Sequence, residues 1–142
     1  MSLKLPYKKY PDPQSRGGFF YAATVPVNIA LPQHNSPRSK RFEAIIDSGA
    51  SQCIFHSNIG RAIGLQVEKG EVVSTNSIQG PTRIYLHDIS LCAPGGVLPI
   101  RAGFLDDLPI AGLLGMSGFF EHFRILFDPI SLRVELERLY HA

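Results

Sequence analysis

Tryptophan is absent from the 142 residues, and cysteine occurs only twice. Cys53 and Cys92 stand far apart, with no CxxC or metal-ligand spacing, which argues against a disulfide framework or a zinc ribbon. Both sit in apolar surroundings, as buried free thiols do, and point to a reducing compartment. Net charge is scarce as well, since 14 Lys and Arg against 12 Asp and Glu leave a formal +2. That surplus is too small to imply a nucleic-acid partner. No apolar run approaches the roughly 18 residues that a membrane-spanning helix needs. The opening stretch, Met1 to Gly18, lacks the apolar segment of a secretory signal. The expectation is a soluble protein, cytoplasmic or otherwise intracellular, without a nucleic-acid or membrane partner.

What is present favours β-structure. Gly (13) and Pro (11) are plentiful, and the apolar fraction of 44% is that of an ordinary globular chain with one modest core. Residues 1–18, rich in proline and scattered cations, read as an irregular arm before a single domain over 19–142. "FFYAATVPVNIA" (19–30) reads as a strand whose Pro26 indicates an edge or a bulge. "SPRSKR" (36–41) holds the one basic concentration. It reads as a solvated hairpin loop, with a protease-sensitive or partner-binding loop as the alternative.

Strands follow at 41–47 and 52–55. A short helix over 57–65 takes Ser57 as N-cap, Ile59, Ala62 and Ile63 as its apolar face, and Gly64 as its stop. The stretch from Val67 to Leu91 reads as a hairpin with its tip near Ser77 to Gly80. Turns at "APGG" (93–96) and "DDLP" (106–109) bound a further strand. After the apolar "IAGLLGM" come a short helix in "SGFFEHF", a strand "RILFD" and a last strand "LRVELE".

One placement is costly. Asp47 ends the apolar run Ala44-Ile45-Ile46 and is followed by Ser48, Gly49 and Ala50. A carboxylate there risks desolvation unless it is paired or hydrogen-bonded. Asp-Ser-Gly is also good turn chemistry, so taken alone it closes a turn. Its setting argues for more: strand, Asp-Ser-Gly-Ala, strand, short helix, polar-tipped hairpin, Leu113-Leu114-Gly115, helix and closing strand.

That order resembles the retropepsin-like aspartic proteases, the single-domain relatives of the pepsins, over roughly residues 19 to 137. The resemblance implies an all-β, single-domain, closed β-barrel with one or two short helices and a flap hairpin. It also implies a homodimeric aspartic endopeptidase acting on peptide or protein substrates without metal or organic cofactor. Catalysis in such enzymes uses two carboxylates sharing one proton, because like charges about 3 Å apart cannot both ionise cheaply. None of the other acids in this chain precedes Ser/Thr-Gly, so the second carboxylate would be Asp47 of another copy.

By the same resemblance Ser48 braces the two catalytic loops, Gly49 offers its N–H to Asp47, and Ala50 lines the substrate channel. Asn76, Ser77, Ile78, Gln79 and Gly80 form the flap. Leu113, Leu114 and Gly115 run beside the catalytic loop, and Ile110 and Ala111 help to form side-chain pockets. Many retroviral members carry an Arg and then Asp or Asn after the apolar-apolar-Gly motif, where this chain has Met116 and Ser117. The ion pair that anchors the following helix is then missing. The flap tip has one glycine backed by Pro81, which implies a stiffer flap. The alternative is a catalytically inactive retropepsin-like module that binds peptides or mediates dimerisation.

The five histidines show no metal-ligand spacing, and Ser51 has no evident His partner for a nucleophile.

Overall fold

A computed structural model describes residues 2–77 and 80–140, with the side chains of residues 75–80 left aside. Alternating burial builds its core. In β4 (Thr24–Ala30) Val25, Val27 and Ile29 are fully buried, and in β9 (Gly96–Leu105) Leu98, Ile100, Ala102 and Phe104 point inward. This period of two is what a strand with one covered face requires. β5 (Phe42–Ile46), β6 (Ile54–His56), β7 (Glu71–Ser77), β8 (Gly80–Ala93) and β10 (Gly112–Leu114) complete a seven-stranded sheet. Its order is β4-β5-β10-β6-β9-β8-β7, and β4 also pairs with β8, so the sheet closes into a ring. Phe55, Phe104 and Phe119 are the largest side chains sealed inside it. The mostly-β, single-domain architecture is therefore as expected.

Pro26 lies where β4 is hydrogen-bonded to β5 alone, opposite Glu43. Pairing with β8 begins only at Asn28. A residue without an N–H is cheap on such a locally open flank. β7 and β8 form the expected hairpin in antiparallel register from Glu71↔Leu86 to Ser77↔Gly80. It starts later than expected, because Val67–Lys69 make a 3-10 turn that buries Val67.

The one α-helix among the described residues, α1, runs Ser57–Ala62, and Gly64 follows it with φ +92°. Ser57 was the expected N-cap, yet it lies inside the helix and is buried. His56, at the end of β6, caps instead, its Nδ1 accepting from Asn58 N–H at 3.1 Å. The second expected helix is only a 3-10 turn, Phe120–His122, since Phe119 and Phe123 stack on each other across it at 4.7 Å.

The largest departure is at the N-terminus. Residues 1–18, expected to be irregular, hold β1 (Ser2–Pro6) and β2 (Lys8–Pro11). β2 pairs with β3 (Phe19–Ala22) as a separate two-stranded ribbon. β1 pairs with β12 (Arg133–Arg138), which pairs in turn with β11 (Phe123–Asp128), giving a second sheet of order β1-β12-β11. Leu5 and Tyr7 pack on the main core from this segment, and Tyr7 N–H donates to Leu132 O at 2.8 Å. Pro6 and Pro11 each end a strand, where the missing N–H costs little.

Candidate active site

β5 delivers Asp47 to the edge of the ring. Ile46 N–H donates to Ala23 O, and Asp47 N–H donates to Leu114 O at 3.0 Å, which extends the parallel pairing of Leu113 with Ile45 and Leu114 with Ile46. Strand geometry thus fixes the Asp47 backbone on both sides. Its side chain is half-buried, and Oδ1 accepts Gly49 N–H at 2.8 Å. Ala50 N–H closes the turn onto Asp47 O at 3.1 Å. This is an Asx-type turn of the kind that Asp-x-Gly favours, and it aims one carboxylate oxygen.

A second segment is stapled to that turn. Met116 N–H donates to Ala50 O at 2.9 Å, and Ser117 N–H to Ser51 O at 3.0 Å. Gly115 lies between, buried, and a Cβ there would stand 2.3 Å from Gln52 O and 2.7 Å from Ala50 O. Only a residue without a side chain lets the two backbones approach so closely.

The structure brings Asp47, Gly49, Ala50, Leu114 and Gly115 into one unit. Ser48 is exposed beside it, while Leu113, Ile110 and Ala111 are half-buried. Ala111 O accepts His56 N–H at 3.0 Å, which ties the segment before β10 to β6. Asn76, Ser77 and Gly80 enter as strand positions at the end of the hairpin. Ile78 and Gln79 lie outside the described residues.

Sequence reasoning missed how the 116–123 turn is held without an Arg-centred ion pair. Glu121 Oε1 accepts Gly118 N–H at 2.7 Å, and Gly118 takes φ +96°. The Gly-x-x-Glu spacing resembles half of a capping box and was the available signal. From the other side the Cys53 thiol donates to Ser117 O at 3.6 Å, a long-range contact with no sequence signature. Burial pushes the Cys53 thiol up to about 11. Native protein treated with iodoacetamide near pH 8 is therefore expected to be alkylated at half-buried Cys92 first. Cys53 should react only after denaturant is added, as mass spectrometry of the digested protein would read.

Among the described residues no group of three His, Cys, Asp or Glu stands close enough together to hold a metal ion. Among the same residues no helix is long and apolar enough to cross a membrane.

Comparison with solved structures finds a retropepsin-like aspartic protease from Rickettsia conorii. The superposition has a TM-score of 0.64 at 16% identity and covers 96% of this chain and 98% of that one. An identity this low speaks to the fold. The protease of EIAV, solved with the inhibitor HBY-793, aligns at 15% identity and a TM-score of 0.48 over 66% of this chain and 81% of its own. No curated protein matches the chain. A family model described as aspartyl protease matches residues 26–117, from Pro26 in β4 through Asp47 to Ser117. With that match spanning most of the chain, this protein belongs to the aspartyl protease family, and its fold is retropepsin-like.

Proposed function

We propose that the protein is an aspartic endopeptidase working as a homodimer, with a water activated between two Asp47 carboxylates, one from each subunit. The observation that carries this reading is a half-buried carboxylate at the end of β5, aimed by Gly49 N–H and with its backbone clamped to Leu114. That rigidity suits a group that must hold water in one place, and a simple turn would not need the Gly115 staple.

A single carboxylate cannot be both base and acid in one step, so two-fold symmetry supplies the second. The ionised member takes a proton from water as its oxygen attacks the scissile carbonyl carbon. The protonated member donates to the carbonyl oxygen, giving a gem-diol. Collapse breaks the C–N bond, and the carboxyls return a proton to the leaving nitrogen. No acyl-enzyme and no cofactor enter.

Ser48, exposed beside the turn, braces the partner loop, and Ala50 with Ile110 and Ala111 shapes the cleft. The hairpin from Asn76 through Ile78 and Gln79 to Gly80 closes over the substrate. Residues 19–142 are the catalytic domain, to which β1 adds a strand.

Mixing tests the shared dyad. Wild type refolded with an equal amount of Asp47→Asn chain is expected to keep about a quarter of the activity of the same total of wild type, because mixed dimers are dead. Independent subunits would keep about half, and that result refutes the shared site. A folded dimer that cleaves nothing in an unbiased peptide library would favour a binding module instead.

A further inference from the structure

The geometry points to a second binding site, separate from Asp47, for an acidic segment of polypeptide carrying an apolar side chain. The loop that carries the basic residues of 36–41 folds against α1 and leaves an open depression of about 500 Å³ between them. Phe42, Ile59 and Ala62 make its apolar floor, and Arg38, Lys40 and Arg41 stand on its rim. All three cations are exposed. Among the described residues no carboxylate lies within ion-pair distance of any of them. Arg61 on the same helix behaves differently, being tied to Glu68 and Asp106. The rim is therefore an unneutralised positive arc around an apolar floor.

Charge complementarity selects the occupant. Carboxylates on the rim would gain charge-assisted hydrogen bonds from two guanidiniums, and an apolar side chain between them would cover Phe42 and Ile59. A lipid surface fits less well, because none of the large apolar side chains exposed among the described residues stands on this rim to enter a bilayer. Phe42 opens β5 and Asp47 follows its end, so pocket and carboxylate lie about 16 Å apart along one strand at roughly 3.3 Å per residue. The site is thus distinct from the proposed cleft, and its test needs no proteolysis.

The test is fluorescence anisotropy on the intact protein at low salt. The probe is a labelled peptide with one leucine flanked on both sides by glutamates, compared with its glutamine counterpart. The glutamate peptide is expected to bind at least about tenfold more tightly than the glutamine peptide, and to be released by salt. The triple variant Arg38→Glu, Lys40→Glu, Arg41→Glu should weaken it at least about tenfold. Ala62→Glu, at an exposed helical position, should do the same while leaving the cations in place. Circular dichroism confirms that each variant is folded. Equal binding of the two peptides, no binding of the glutamate peptide, or undiminished binding by folded variants overturns the proposal. Sedimentation with phosphatidylserine vesicles in the absence of any peptide binding would assign the rim to a membrane instead, and overturns it too.

Discussion

Asp47→Asn is expected to cut peptide hydrolysis by at least about a thousandfold while leaving the fold intact. The amide cannot take a proton from water, and general acid–base participation of this kind is worth about 10²–10⁴ before charge stabilisation is added. The structure gives the reason the fold should survive. Asparagine keeps an oxygen where Asp47 Oδ1 accepts Gly49 N–H, and the backbone bond to Leu114 O does not involve the side chain. The melting temperature should move by no more than about 2 °C, since surface or half-buried isosteric changes rarely cost more than about 0.5 kcal/mol. Activity measured on a peptide library decides the matter. Full turnover by the folded variant would remove Asp47 from the chemistry altogether.

Gly115→Ala should be the most damaging single methyl in the chain for site and stability together. The two atoms nearest its added Cβ, at 2.3 and 2.7 Å, are carbonyl oxygens of residues 52 and 50, not the far ends of flexible side chains. Relief requires the 50–52 backbone to move outward, which breaks the bonds from Met116 and Ser117 to Ala50 and Ser51. Overpacking of this kind costs about 1–3 kcal/mol, and each lost hydrogen bond about 1 kcal/mol more. A fall in melting temperature of roughly 10–17 °C follows, with activity lost alongside it even where the protein remains folded. A variant that melts with the wild type and turns over normally would show that the close approach is not needed.

The two variants also separate two meanings of a site. In the proposed mechanism Asp47 carries the chemistry on an undisturbed frame, whereas Gly115 belongs to the frame itself. Its partner atoms come from a turn more than sixty residues away, so the Leu-Leu-Gly run shows only that something must pass close by.

That distinction explains what could be read in advance. β4, β5 and β9 announce themselves by alternation within a few residues, and Asp-Ser-Gly carries its turn in its own chemistry. The hairpin of β7 and β8 is likewise local. β1 is not: Leu3 and Leu5 alternate, but over too short a span, and the strand is stabilised by residues at the far end of the chain. The helix cap moved from Ser57 to His56 because β6 runs one residue further than its apolar pattern indicates, which puts the serine inside the first turn. In the 117–123 stretch, packing of Phe119 on Phe123 overrides a helical propensity too short to nucleate by itself. The clamp from Cys53 and Glu121 onto the 117–118 backbone belongs to the same class of long-range or side-chain detail.

The pairing of β1 with β12 has a consequence for the order in which the molecule is built. Ser2 Oγ bonds Glu135 across 133 positions of sequence, and loop-closure entropy for so wide a span must be met before any contact rewards it. On a ribosome the ring strands can assemble once β10 has emerged, carrying the Asp47 turn with them. β1, made before the ring strands, must wait for β12, made after them. Until then Leu5 and Tyr7 leave uncovered the part of the core they will seal, and a nascent chain paused after residue 115 is the species that a chaperone or a protease would meet.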